Sequence, residues 1–390
     1  MHDTELILAD GTRFSGRGFG KSAPDPSQLL SLNYEQAPIG ELVFNTSMGV
    51  YHEIITDPSY AGQSIVMTSP HIGNYGTNPE WNEMLHIRPQ CKALIVRDLY
   101  DGPVASSRTP LDEMCMQWKL SGISEIDTRA LTLHIRTKGS QYGVLVRRTD
   151  DLEQHLATIV SWIASCPPMA DRDFVSTCSV SSVQVFAPQG STRARYALWD
   201  FGTKKSIISQ LVQQHIEVTV FPCSTKLSDI FVQGHRFDAL FLSNGPGDPA
   251  TLSAYVDQLK HIIGTTAVLG ICLGHQLAAM ALGAKTEKML FGHHGSNHPI
   301  RDLNTGGVYV TAQNHGYCVD SKSLPKTTEV WLINDNDGSL EGLYDKERGV
   351  MTVQFHPEAA PGPWEGRALF KTFVEWVEHT QIVQEAHHAR

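Results

Sequence analysis

Cys272 lies in Gly270-Ile-Cys272-Leu-Gly274-His275-Gln276, after the apolar run 267–271 and before a stretch, 276–282, that suits a helix. Strand, glycine-flanked turn and helix in that order describe a nucleophile elbow, here with sulfur in place of oxygen. The flanking glycines permit a turn too tight for neighbouring Cβ atoms. A free cysteine has a pKa of about 8.5 and is mostly protonated at neutral pH, but the positive end of a helix favours its thiolate. Downstream, Val353-Gln-Phe-His356-Pro-Glu358 supplies a base and an acid to orient it. In an extended chain residues i and i+2 face the same side, so Glu358 can fix the tautomer of His356. Pro357 fits a strand end, where the chain leaves the ladder. The pattern predicts a Cys-His-Glu acyl-transfer enzyme whose fold must bring two distant segments together.

A second glycine loop, Leu242-Ser-Asn244-Gly245-Pro246-Gly247-Asp248-Pro249, follows another apolar run. It has neither the Lys-Ser/Thr ending of a P-loop nor a full GxGxxG, which argues against nucleotide binding. It either presents a backbone N–H beside the nucleophile, completing an oxyanion hole with the N–H of Leu273, or is an ordinary turn. His293-His294-Gly-Ser-Asn-His298 lacks helical support and a nearby acidic or cysteine ligand in the chain, so a polar loop is expected there and no metal. The other six cysteines (91, 115, 166, 178, 223 and 318) read as small buried hydrophobes.

The elements that must position this chemistry fall into two halves. Residues 1–152 read as mixed β with short helices: strands near 5–8, 40–44, 64–68 and 91–96, and one amphipathic helix over 127–137. Residues 153–193, with a helix-compatible start and a Pro/Ser/Thr-rich remainder, are expected as a connector. From 194 to 390 strands and helices alternate, which predicts an α/β domain with a doubly wound, mostly parallel sheet. The expected class is α/β throughout, with the N-terminal part the more β-rich.

Composition narrows the setting. A chain of 390 residues exceeds one compact core and implies two domains. A hydrophobic content of 41% with 18% charged residues is that of an ordinary globular protein, and a net charge of −10 argues against general nucleic-acid or membrane-surface binding. Seven dispersed cysteines without a CxxC pair point to a reducing, cytoplasmic setting. The acidic start Met1-His-Asp-Thr-Glu is unlike a secretion signal, and no apolar run approaches the ~20 residues that cross a bilayer.

Gly270-Ile-Cys-Leu-Gly-His-Gln276, Ser243-Asn-Gly-Pro-Gly-Asp-Pro249 and Gln354-Phe-His-Pro-Glu-Ala359 together closely resemble the class I, or triad, glutamine amidotransferases. Three further segments narrow the resemblance to the small, glutamine-hydrolysing subunits of carbamoyl-phosphate synthetase. These are Phe44-Asn-Thr-Ser47-Met-Gly-Val-Tyr51 through Tyr60, Pro70-His71-Ile-Gly73-Asn74, and Phe291-Gly-His-His-Gly-Ser-Asn-His-Pro299. The resemblance spans nearly the whole chain. It departs at Gly49-Val50-Tyr51-His52, where the family more often has Thr-Gly-Tyr-Gln, and at Ser296, where it more often has glycine.

The resemblance implies that Cys272 attacks the carboxamide of L-glutamine, that His356 is base and acid, and that Glu358 orients it. It implies oxyanion-hole N–H groups from Gly245 and Leu273. Ser47, Gly245, Gly247, Leu273, Gln276, Asn314, Gly316 and Tyr317 match positions that hold the glutamine, Ser47 coming from the N-terminal half. Ammonia would pass to a separate large subunit, which uses ATP, Mg and bicarbonate to make carbamoyl phosphate for arginine and pyrimidine biosynthesis. The expected assembly is a heterodimer docked largely through residues 1–150, and this chain itself is expected to carry no cofactor.

Overall fold

A computed structural model of the chain describes residues 2–85, 89–232, 237–360 and 362–380. Its internal contacts divide into two compact units: Met1–Glu83 with Ile87–Arg172, and Met84–His86 with Asp173–Arg390.

The first unit holds strands β1 (Thr4–Leu8), β2 (Arg13–Gly20), β3 (Ile39–Asn45), β4 (Gln63–Met67), β5 (His71–Ile72), β6 (Ala93–Ile95), β7 (Asp98–Leu99), β8 (Ser121–Ser124) and β9 (Tyr142–Arg147). Seven of them close into a barrel in the order β1-β2-β8-β6-β4-β3-β9, while β5 and β7 form a separate parallel pair. Closure comes from the antiparallel register of β1 on β9, in which Leu6 faces Leu145. Every residue of β1, β3 and β4 is buried, so these strands lack a solvent face.

The expected connector does not stand apart from the two units. Its helix, Leu152–Ala164, buries Leu152, Ile159 and Ile163 against Ile7, Ile39, Val144 and Val146 of the barrel wall. These positions recur on one helical face, and burying each aliphatic side chain contributes about 1.5–3 kcal/mol. At the other end Gln184–Phe186 (β10) pairs antiparallel with a strand of the second unit. Composition alone marked the segment as a linker; the apolar stripe and the edge pairing assign its two ends to different units.

The second unit continues with β11 (Ala194–Asp200), β12 (Ile216–Pro222), β13 (Ala239–Leu242), β14 (Ala267–Ile271), β15 (Thr286–Asp302), β16 (Val308–Val319), β17 (Glu329–Asn334), β18 (Leu340–Asp345) and β19 (Val350–Val353). They form one ten-stranded sheet, β10-β12-β11-β13-β14-β19-β18-β17-β15-β16. Its centre, β12 to β19, is parallel, and antiparallel strands extend both sides. Alternate side chains serve two cores, as a sheet covered on both faces requires. Tyr196, Leu198, Phe241 and Leu269 pack toward helices Lys205–Gln213 and Ala368–His379. Ala197, Trp199, Leu240 and Val268 pack toward Ser253–Ile262 and Leu273–Leu282.

One local expectation is corrected. His293, His294 and His298 lie not in a polar loop but within β15, paired with β16 through two bulges. Their backbone groups are held by the ladder, so polar side chains are tolerated in the strand. All seven cysteines are buried and free. Among the described residues no helix is long and apolar enough to cross a membrane.

Candidate active site

The carboxyl ends of the parallel strands converge where ligands gather in open α/β sheets. Cys272 follows β14 directly and caps the helix Leu273–Leu282, with φ 54° and ψ −106°. A positive φ on a non-glycine residue is costly, and two backbone bonds hold it. The Cys272 N–H donates to the Val353 carbonyl at 2.9 Å, and the Gly274 N–H to the Ser243 carbonyl at 3.0 Å. Glycine is required at 274 because a Cβ there would sit 2.3 Å from the Leu242 carbonyl oxygen. The turn therefore packs on the end of β13, which also launches the loop carrying Gly245.

Just beyond β19, His356 is fixed by its backbone N–H, which donates to the Ala312 carbonyl at 2.9 Å. Its Nδ1–H donates to Glu358 Oε1 at 2.7 Å, and Nε2 has no hydrogen-bond partner among the described residues. Burial would push this imidazole down, but the Glu358 carboxylate, aided by the Cys272 sulfur, outweighs burial and raises it to about 10. Burial likewise works against ionised Glu358, yet the ammonium of Lys204 and the imidazole of His356 hold it at about 2. The site thus favours an ionised carboxylate beside an imidazole with high proton affinity.

Lys204 was not singled out in the sequence. Its Nζ lies 2.9 Å from Glu358 Oε1, the same oxygen that receives the His356 proton, and it also donates to the Ala360 carbonyl. Both charged side chains are essentially buried, where an ammonium persists only when paired. The lysine is delivered by the turn after β11, where Asp200 Oδ1 accepts from the N–H groups of Gly202 and Thr203 and Asn244 Oδ1 accepts from the Lys204 N–H. A lysine four residues beyond a central parallel strand was the available signal, but only the fold shows what it meets.

Around the sulfur stand other expected residues. The Cys272 thiol donates to the Asn314 carbonyl at 3.6 Å. Gln276, on the first turn of the same helix, donates through Nε2 to the Tyr317 carbonyl at 2.8 Å and to Gln354 Oε1 at 3.0 Å. Asn314 and Tyr317 lie on β16, and a Cβ at Gly316 between them would meet nothing within 4 Å. Leu273 opens the helix, so its N–H has no intrahelical acceptor and stays available. Gly245 approaches that residue closely: a Cβ there would lie 2.8 Å from Leu273 Cδ2. Gly247 takes φ 96° in the same loop. His275, despite its place in the motif, is structural: it is fully buried, bonds Thr352 Oγ1 at 2.9 Å, and burial lowers it to about 3. Ser47 lies in the first unit, buried, with its N–H donating to Asn45 Oδ1.

A thiol on a strained strand–helix turn, with an imidazole oriented by a carboxylate, is the equipment of an acyl-transferring cysteine enzyme. Residues 197–376 match the family described as glutamine amidotransferase class-I. Residues 6–145 match that described as carbamoyl-phosphate synthase small chain, CPSase domain. The carbamoyl phosphate synthase small chain of Methanococcus maripaludis (strain C5) is 39% identical over 376 residues, covering 95% of this chain and 96% of its own. That of Clostridium perfringens (strain 13) is 38% identical, covering 95% and 99%. The chloroplastic small chain of Oryza sativa is 38% identical, covering 98% and 84%. The chain belongs to the carbamoyl-phosphate synthase small-chain family, with a class-I glutamine amidotransferase domain.

Proposed function

We propose that the chain hydrolyses L-glutamine through a glutamyl thioester on Cys272 and passes the ammonia to a separate large synthetase subunit. The Cys272 thiolate attacks the γ-carboxamide carbon, and the oxyanion that forms accepts hydrogen bonds from the N–H groups of Leu273 and Gly245. His356 gives its Nε2 proton to the departing nitrogen, so ammonia leaves as the carbonyl re-forms. His356 then takes a proton from water, whose oxygen attacks the thioester; the C–S bond breaks and glutamate is released. Glu358 keeps the imidazole oriented throughout, and Lys204 keeps Glu358 ionised. Gly247, Gln276, Asn314, Gly316 and Tyr317 hold the amino acid. The observation that carries this reading is the 2.7 Å contact of His356 Nδ1 with Glu358, beyond the strand next to the one that presents Cys272.

The large subunit uses bicarbonate and ATP with Mg to form carbamoyl phosphate for arginine and pyrimidine biosynthesis, so those reactants act on the partner. The first unit supplies much of the docking surface. The test is glutamate release by the purified chain, alone and with a large subunit, ATP and bicarbonate, beside Cys272→Ser. Strong stimulation by the partner, lost in the variant, is expected. Activity indifferent to the partner would contradict the coupling.

A further inference from the structure

A buried cluster beside the strand that carries Asn314 and Tyr317 takes no part in the proposed chemistry. His293 and His315 face each other in the register of β15 and β16. Glu341, on β18, completes a group in which one ligand-capable atom from each residue lies within 4.8 Å of the other two. His293 Nε2 is 2.9 Å from Asp337 Oδ2, an acceptor, so that nitrogen carries hydrogen. Its Nδ1 faces Asn334 Nδ2 at 3.4 Å and Glu341 Oε1 at 3.8 Å. His315 Nδ1 is 2.8 Å from the Tyr317 carbonyl and its Nε2 is 2.8 Å from Gln313 Oε1, so a metal at Nε2 would displace the Gln313 contact.

The cluster holds one buried acceptor that nothing in it satisfies. Fully buried Glu341 donates nothing, and its Oε2 has no hydrogen-bond partner among the described residues. An unpaired buried carboxylate oxygen is expensive, and a cation is the ligand that removes the deficit. Two imidazoles and a carboxylate are the donor set of borderline divalent metals, zinc above all. Outer partners are also in place: Asp337 behind His293 and the Tyr317 carbonyl behind His315. Such partners fix the tautomer of a ligating histidine. A cavity of about 560 Å³ reaches His293 and Asp337 at the edge of the cluster.

We propose that His293, His315 and Glu341 form a zinc site that ties β15 and β16, and with them the strand bearing Asn314 and Tyr317, to β18. Zinc held at ~2.1 Å from each ligand atom in tetrahedral geometry needs those atoms about 3.4 Å apart. The side chains must draw inward from their present spacing, displacing the Asn334 amide that now bridges His293 and Glu341. His298 stands close by, its ring centroid 5.0 Å from that of His293.

The experiment uses the full chain carrying Cys272→Ser, so that the catalytic thiol cannot take the metal. Chelator-treated protein is titrated with zinc chloride by calorimetry, beside versions that add Glu341→Gln or His293→Gln. One zinc per chain is expected, with affinity lowered about tenfold or more in each. Zinc should also raise the melting temperature of the parent and not of the Glu341→Gln version. No saturable binding, or binding undiminished in both variants, would overturn the proposal; the cluster would then be an imidazolium held by two carboxylates. If either variant fails to fold, X-ray absorption of the zinc-loaded parent decides. Imidazole and oxygen ligands alone support the site, and a sulfur ligand at ~2.3 Å contradicts it.

Discussion

Lys204 Nζ and Glu358 Oε1 are 2.9 Å apart, and that carboxylate oxygen also accepts the Nδ1–H of His356 at 2.7 Å. One oxygen thus links a buried ammonium to the imidazole proposed to serve the Cys272 thiol. Replacing the lysine by methionine leaves Glu358 without its strongest counter-charge. Lys204→Met should cost about 3 kcal/mol of stability, the usual penalty for stripping a buried pair. Because Lys204 holds Glu358 low, its loss should also move the acidic limb of the kcat–pH profile upward. Denaturant unfolding and that profile check both; an unmoved limb would make the lysine a packing residue only.

Gly274→Ala places a methyl group against the Leu242 carbonyl. Overpacking of this kind costs about 1–3 kcal/mol. Because the same turn sets the Cys272 dihedrals, glutaminase kcat should fall in parallel. A variant as stable and as active as the parent would show that the turn relaxes freely.

Gln276→Leu removes a donor from the Tyr317 carbonyl and from Gln354 Oε1. Leaving the buried Gln354 Oε1 without this donor costs about 1–3 kcal/mol, and the strand proposed to hold the substrate loses one of its anchors. KM for glutamine should rise about tenfold, with kcat changed less. Steady-state kinetics separate the two, and a fall in kcat alone would place Gln276 in the chemistry instead.

Stability should follow pH in two windows. His356 is raised in the folded chain from 6.5 to about 10, so its contribution is complete below pH 6.5 and lost as pH climbs through 10. Glu358 is depressed from 4.5 to about 2, so its contribution is complete above pH 4.5 and lost as pH falls through 2. Urea unfolding at stepped pH should show both declines, and the alkaline one should shrink in Glu358→Gln. Equal alkaline slopes in the two proteins would contradict the coupling of the pair.

What could be read from the chain was what is local. Cys272 with its glycines, and His356 with Glu358 two residues on, carry their meaning in a few adjacent positions, as does the βα alternation of the second unit. Lys204 could not be read, because its significance lies in a residue 154 positions later. The closure of β1 on β9 was hidden for the same reason. Strand β15 was missed because its histidines, glycines and asparagine break the apolar alternation; ladder bonds and bulges, not hydrophobic pattern, keep it in the sheet. Helix Leu152–Ala164 was visible as a helix, but not the barrel wall against which it packs.

Acylation of Cys272 can be read by acid-quenched mass spectrometry during glutamine turnover. One glutamyl group is expected on the peptide containing Cys272, absent from Cys272→Ser and from peptides holding the other six cysteines. Undiminished turnover in Cys272→Ser, or a glutamyl group on another residue, would contradict it.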